Sequence, residues 1–505
     1  KRKAVKRASA VKTAKATIAG AGAAAGMLIV AGGEQFIAHK VKSLLDERVR
    51  RVDIGSPMVG HAVALSLLGI AGTGAFVVAK RRIERGDDIV EPAYPEPPTS
   101  SQVTAGPGAT VAFDTIGKEG RRFVLMALTA GEISAVMNEP AQDPIRIVGG
   151  YEAAPTTEER AQVCFREMES IGAFDRSLIC VASPTGVGYV SYTFVESLEY
   201  LTRGDCATVI PQYALVPSAM ALFDTADGVA LQRRVLELAR DRIAQLPPDR
   251  RPKLVQFGES LGAQVALDVA YPAGAAELDD LGLDAGLYLG VPFRSASWNS
   301  WWNARNLFDP QERLLLVADS ELLSERAPDL PTTPKHVMVV HDDDPVNKFS
   351  YRLVVRPPWW MGPPKTRPPK VPRETIWRPV TTFVLTIIDL LNGMDFKPGE
   401  FIRKGHDYRM DSRGATAVTF ALPCSDEQAD AIDNALRIRE QDWAARRLVA
   451  RKFASARESV AKTLKSWGVS GAELADIENG QGPLVADVNP NSPMLPNRFG
   501  SSGVL

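Results

Sequence analysis

The chain lacks a charge bias. Its 59 Lys and Arg stand against 60 Asp and Glu, a net charge of −1 in 505 residues. Without a basic excess there is no whole-chain pull toward nucleic acid or anionic lipid, so nucleic acid is not an expected partner and any lipid contact must come from a local patch. Cysteine is scarce: Cys164, Cys180, Cys206 and Cys424 are the four, and none belongs to a CxxC pair. Zinc-finger and thioredoxin-like readings therefore have no support. Cys180 lies in the apolar run 178–182 and reads as core. So little cysteine suits a reducing compartment. Histidine is scarce as well, with five in all, and no metal or cofactor is expected.

What is present is an ordinary globular composition, 45% hydrophobic and 24% charged. The length suffices for one large domain with attachments or for two or three domains. The sequence begins with Lys1 rather than methionine, as a processed form or a piece of a longer chain would.

Residues 58–79 form an apolar run between Arg50, Arg51 and Asp53 on one side and Lys80, Arg81 and Arg82 on the other. About 20 helical residues, rising ~1.5 Å each, cross a bilayer core, so this run is long enough to span. A second run, 16–33, is richer in alanine and glycine, and its Gly22 and Gly26 have the GxxxG spacing that lets membrane helices approach closely. One or two transmembrane helices are thus expected within 1–85, in the cell membrane. The basic flanks favour a cytoplasmic catalytic domain, although the loop between the runs is also basic.

Residues 86–119, rich in Pro, Ser, Thr and Gly to about 108, read as a linker. From 120 to 424 strand-like runs at 145–149, 178–183, 207–211, 253–257, 287–291 and 336–341 alternate with helical patterns such as 157–171 and 230–245. Such alternation predicts an α/β fold with a mostly parallel sheet covered on both faces. Residues 426–467 read as a long basic helix with an apolar stripe, which packs on the domain or on another subunit, or else lies on anionic lipid. A homo-oligomer would form through this helix and the membrane helices. The tail to 505 reads as loop.

The chemistry concentrates at Gly258-Glu259-Ser260-Leu261-Gly262, a GxSxG with a β run before it and a helical pattern after it. That context presents a serine on a sharp strand-to-helix turn, with the helix N-terminus favouring the negative charge that develops. A serine hydroxyl needs a base. Partners in this arrangement follow the order serine, acid, histidine, and His406 is the histidine far enough downstream. The acid should end a strand between them. His341-Asp-Asp-Asp-Pro345 offers Asp344, with Asp342 and Asp343 as alternatives. Two backbone N–H groups would hold the oxyanion: that of Leu261, and one from the loop after 178–183, where Thr185 and Gly186 are the candidates.

Six of the eight tryptophans lie between 298 and 377. Trp298, Trp301, Trp302, Trp359 and Trp360 are expected in an aromatic cap spanning about 292–378, suited to an acyl chain or a membrane interface.

These stretches carry a resemblance. Phe113–Phe123, Gly172–Arg176, Ser183-Pro-Thr-Gly-Val-Gly188, Phe257-Gly-Glu-Ser-Leu-Gly-Ala263, Val291-Pro-Phe-Arg294, His341-Asp-Asp-Asp-Pro-Val346 and Gly405-His-Asp-Tyr408 together resemble a bacterial family of membrane-associated α/β-hydrolases. The resemblance implies an α/β-hydrolase fold, a triad of Ser260, Asp344 and His406, and an ester-hydrolase or acyltransferase activity beside a membrane, with lipid-like acyl esters as substrates. Two features depart from that pattern: Tyr408 stands where the family has a second histidine, and the helix beyond 425 is an addition. Residues 379–391, just before His406, read as helix where a final strand is expected. The competing expectation is a non-catalytic hydrolase-like scaffold or lipid-binding assembly protein.

Overall fold

The structure, a computed structural model, describes residues 96–215, 225–329, 335–363, 365, 367–392 and 396–466. Both runs read as membrane spans, 16–33 and 58–79, lie outside the described residues, as does the tail beyond 466. Among the described residues no helix is long and apolar enough to cross a membrane.

Seven strands form one sheet: β1 (Ile145–Gly149), β2 (Leu178–Ser183), β3 (Cys206–Pro211), β4 (Lys253–Glu259), β5 (Ala285–Leu289), β6 (Leu314–Val317) and β7 (His336–Val339). Their order is β1-β3-β2-β4-β5-β7-β6, and every pairing is parallel. The inner strands are mostly apolar because both faces are covered, with buried polar exceptions such as Thr208, Gln256 and His336, and alternate residues point to opposite faces. In β2, Ile179 and Val181 join one core with Ala161, Met168 and Val235. Leu178, Cys180 and Ala182 join a second core with Phe194, Phe257 and Ala415.

The covering helices begin and end as their sequences dictate. Thr156 and Glu159 form a reciprocal capping box at the start of the helix Thr157–Ile171, and Gly172, at φ 83°, ends it in the left-handed conformation that glycine tolerates best. Ala161, Cys164, Met168 and Ile171, spaced three or four apart, are its buried apolar positions.

Three expectations change. β5 stops at Leu289 rather than 291 because Gly290, at φ 61°, turns the chain out of the sheet. β6, a four-residue edge strand, had been counted within the aromatic cap; it and β7 belong to the sheet, so 292–378 is not one continuous cover. Part of the stretch read as linker is folded in: Val103, Thr104 and Val111 are buried, and Val103 bridges Arg146 of β1. The segment before His406, read as helix, is the helix Pro379–Asn392, and the sheet edge is occupied by β6.

The long helix Asp426–Ser466 packs through its first half. Ile432 and Leu436 are buried with Leu128, Ile133 and Tyr200. The Arg439 guanidinium, also buried, donates to Glu196, Glu132 and the Met126 carbonyl. Farther along, Leu448 and Val460 are exposed.

Candidate active site

β4 delivers Ser260 to the carboxyl end of the sheet, where crevices of open parallel sheets take ligands. Ser260 has φ 56° and ψ −124°, a conformation that costs a non-glycine residue on the order of 1–3 kcal/mol and persists only under surrounding constraint. The constraint is visible. The Ser260 N–H donates to Leu289 O of β5 at 2.9 Å, and the helix Leu261–Asp268 starts at the next residue. No side chain fits on either flanking glycine. A Cβ at Gly258 would lie 2.4 Å from Gly262 O, and one at Gly262 would lie 2.2 Å from Ser183 O. These two approaches press the strand, the turn and the β2 loop together.

His406 reaches the same strand end from a loop. Its ring lies over Gly290, where a Cβ would meet His406 Cε1 at 2.7 Å and Tyr408 Cε2 at 2.5 Å. Gly290 directly follows the residue that anchors Ser260. His406 is 3% exposed, so it is no surface histidine. Its Nδ1 is 2.9 Å from Asp344 Oδ2. Its Nε2 is buried and has no partner among the described residues, which leaves that nitrogen to meet a hydroxyl.

Of the three aspartates after β7, only Asp344 is buried and faces the imidazole. Asp343 pairs with Lys370, and Asp342 is half-buried. Asp344 also caps the short helix Pro345–Lys348, accepting from Val346 N at 2.8 Å. Burial alone would raise its carboxyl, but the His406 charge, the hydrogen bonds from His406 and Tyr408, and Lys348 together hold it below the usual carboxylate range. Burial likewise disfavours a charged His406; the Asp344 carboxylate, helped by Glu259 and Asp407, outweighs this and raises the imidazole above its ordinary value.

The oxyanion candidates divide. Leu261 is the first residue of its helix, so its N–H has no acceptor within that helix. Thr185 is a correction: its N–H donates to Tyr189 O at 2.8 Å, closing the loop's own turn, and is not free for a ligand. The Gly186 N–H is not used by that turn, and the loop sits beside the nucleophile because Ser183 pairs in register with Gly258.

The tryptophans are corrected too. Trp298 and Trp301 are buried in the main core, on the helix Ala296–Phe308 that lies against Leu261–Asp268, and Trp360 is buried in a satellite cluster, donating to Lys348 O. Of these five, only Trp302 and Trp359, whose ring centroids are 4.2 Å apart, remain open to solvent.

Three residues matter here that the sequence did not mark as site residues. The Tyr408 hydroxyl donates to Asp344 Oδ2 at 2.7 Å and accepts from His341 N at 3.0 Å. His341 spans Gly405 O and Asp411 Oδ2, each at 2.9 Å, and so ties β7 to the His406 loop. Glu259 is largely buried, with Oε2 unpartnered, and burial raises its carboxyl while a Ser191 hydrogen bond and the His406 charge oppose that. The one signal in the sequence was density: His406, Asp407, Tyr408, Arg409 and Asp411 fall within six positions.

A family model described as an alpha/beta-hydrolase family matches residues 145–432, and another, described as the N-terminus of an alpha/beta-hydrolase family, matches residues 2–127. No curated protein and no solved structure matched the chain.

Proposed function

The chain belongs to the alpha/beta-hydrolase family, and on that premise we propose that it is a membrane-associated serine hydrolase or acyltransferase acting on lipid-like acyl esters. The observation that carries the reading is the shared end of β5. Leu289 O holds the Ser260 amide, and Gly290 bears the ring of a histidine whose other nitrogen is held by Asp344.

In this reading His406 Nε2 takes the Ser260 proton as Oγ attacks the acyl carbon. Asp344 orients the ring and stabilises the imidazolium. The Leu261 N–H and the Gly186 loop face the oxyanion. The imidazolium returns its proton to the departing alcohol, leaving an acyl-enzyme. Water or another hydroxyl then attacks that ester, with His406 again as base, and Ser260 is released. A lipid-like substrate is supported by the exposed Trp302–Trp359 pair and the apolar runs toward the N-terminus.

A fluorophosphonate probe tests the core of the proposal. Folded full-length protein should be labelled at Ser260 and Ser260→Ala should not. Absence of labelling would refute the assignment. Product analysis with a lipid ester, with and without an added alcohol, then separates hydrolysis from transfer.

A further inference from the structure

The helix Pro379–Asn392 packs one apolar face inward and leaves further apolar side chains on its outer side. In the helix Thr157–Ile171 the buried positions include Ala161, Cys164, Met168 and Ile171. Among the described side chains of Pro379–Asn392 the fully buried ones are Thr382 and Thr386, whose hydroxyls are satisfied locally: Thr382 Oγ1 accepts from Arg378 N, and Thr386 Oγ1 donates to Thr382 O. Phe383, Ile387 and Leu390 pack inward against the cluster of Phe349, Leu353 and Trp360, and the exposed stripe carries Thr381, Leu385 and Asp389. Leu385 is 49% exposed, and Val384 and Ile388 are only half-buried. The surrounding subdomain does the same, with Ile376 at 73% and Val355 at 64% exposure. Each exposed aliphatic side chain forgoes burial, so apolar residues gathered on one surface favour a cover. A face of this kind has a partner.

Charge says which partner. Arg352, Arg356, Lys365, Arg373 and Arg378 are exposed and have no acidic partner among the described residues. Glu374 is the only acidic residue from 351 to 378. Exposed aliphatic side chains beside a cluster of unpaired cations match a bilayer interface bearing anionic headgroups: the side chains enter the acyl boundary while Arg and Lys meet phosphate. Tyr351, Trp359 and Trp302 are exposed aromatics of the kind that settle at that depth. A protein partner that answered five cations would have to be strongly acidic around an apolar groove. A bilayer provides both features without any shape requirement.

We infer that the surface carrying Val355, Ile376 and Leu385, with the cations from Arg352 to Arg378, is a docking face by which the catalytic domain itself lies on an anionic lipid surface. The face connects to the candidate site through the chain: Asp344 caps the helix Pro345–Lys348, which packs against Pro379–Asn392. Docking would therefore set the site next to ester substrate in the bilayer. That consequence rests on the proposed hydrolase reading; the docking does not.

The test uses full-length protein with Cys424→Ser and Leu385→Cys, labelled with an environment-sensitive fluorophore at position 385, and a control labelled at Asp249→Cys. The protein is reconstituted in phosphatidylcholine vesicles with or without phosphatidylglycerol. Docking predicts a blue shift at 385, quenching by nitroxide-labelled lipid that strengthens with phosphatidylglycerol, and neither effect at 249. A blue shift without lipid quenching would mean that protein, a second copy or another segment of the chain, covers the face, and would overturn the inference. Emission typical of water would overturn it as well. In parallel, Leu385→Asp with Ile388→Asp should leave probe labelling of Ser260 unchanged while lowering turnover of a vesicle-embedded ester about tenfold. Unchanged turnover would count against docking, whereas failure of Ser260 labelling in the parent chain would sink the hydrolase reading and leave the fluorescence result standing.

Discussion

The Tyr408 hydroxyl donates to Asp344 Oδ2, the same oxygen that meets His406 Nδ1, at 2.7 Å against 2.9 Å. One carboxylate oxygen thus receives two hydrogen bonds from residues two apart on one loop, while Oδ1 receives the Val346 amide. The acid is held from both ends, and the tyrosine also accepts the His341 amide.

Tyr408→Phe should therefore act on stability and on the acid together. Losing the hydroxyl strips Asp344 of a donor and leaves the buried His341 N–H without its acceptor, a cost of about 1–3 kcal/mol. Denaturant unfolding checks this. An unchanged midpoint would mean that the hydroxyl is replaceable by packing alone.

Ser260→Gly should raise stability while abolishing activity. Glycine adopts the positive φ of this turn at little cost, and the relief, less glycine's greater chain entropy, is about 1 kcal/mol. A thermal unfolding midpoint below that of the parent protein would contradict the assignment of strain to this residue.

Gly262→Ala should fail to fold stably. Its Cβ would meet a backbone oxygen, Ser183 O, at 2.2 Å, and backbone cannot swing aside as a long side chain can. The expected loss is about 3 kcal/mol or more, visible as insoluble protein or a collapsed unfolding transition. Soluble protein of parental stability would show that β2 can retreat from the turn.

Activity should depend on pH through His406. The base must be neutral, and the folded protein raises the pKa of this imidazole, so the acid limb of kcat/KM should lie above the ordinary histidine value of about 6.5. Asp344→Asn removes the main raising influence and should move that limb to lower pH, with kcat reduced about 10⁴-fold. For stability the signs are opposite. The raised His406 stabilises fully below its unfolded pKa and loses that contribution as pH rises through the folded value. The lowered Asp344 contributes above its unfolded pKa and loses that contribution as pH falls through the folded value.

Much of this was legible from local pattern. The runs at 145–149 and 178–183 are strands with those bounds, because buried parallel strands are written as short, mostly apolar stretches, interrupted here only by Arg146 and Ser183. Thr157–Ile171 was legible because helical spacing and its caps are local. β6 was not: four residues at a sheet edge, half of them only partly buried, carry too little periodicity. The tryptophans misled because composition shows that aromatics are dense, while burial is decided by which face of Ala296–Phe308 meets the helix beneath it.

The sequence by itself determined the class of chain: an α/β sheet with a serine on a strand-to-helix turn, and an acid and a histidine following in order. Those are properties of spacing and of short-range sterics, which a linear string records. Tertiary structure alone decided which of three adjacent aspartates turns inward, that Thr185 spends its amide on its own turn, that Tyr408 and His341 brace the acid and the loop, and that a helix presents leucine outward and threonine inward. Each of these depends on contacts between residues far apart in the chain, and the long-range packing of the sheet determines which side chains meet. Ser260 could be found from five letters. That the ring of His406 rests on Gly290, one residue beyond the carbonyl that anchors the Ser260 amide, required the folded chain.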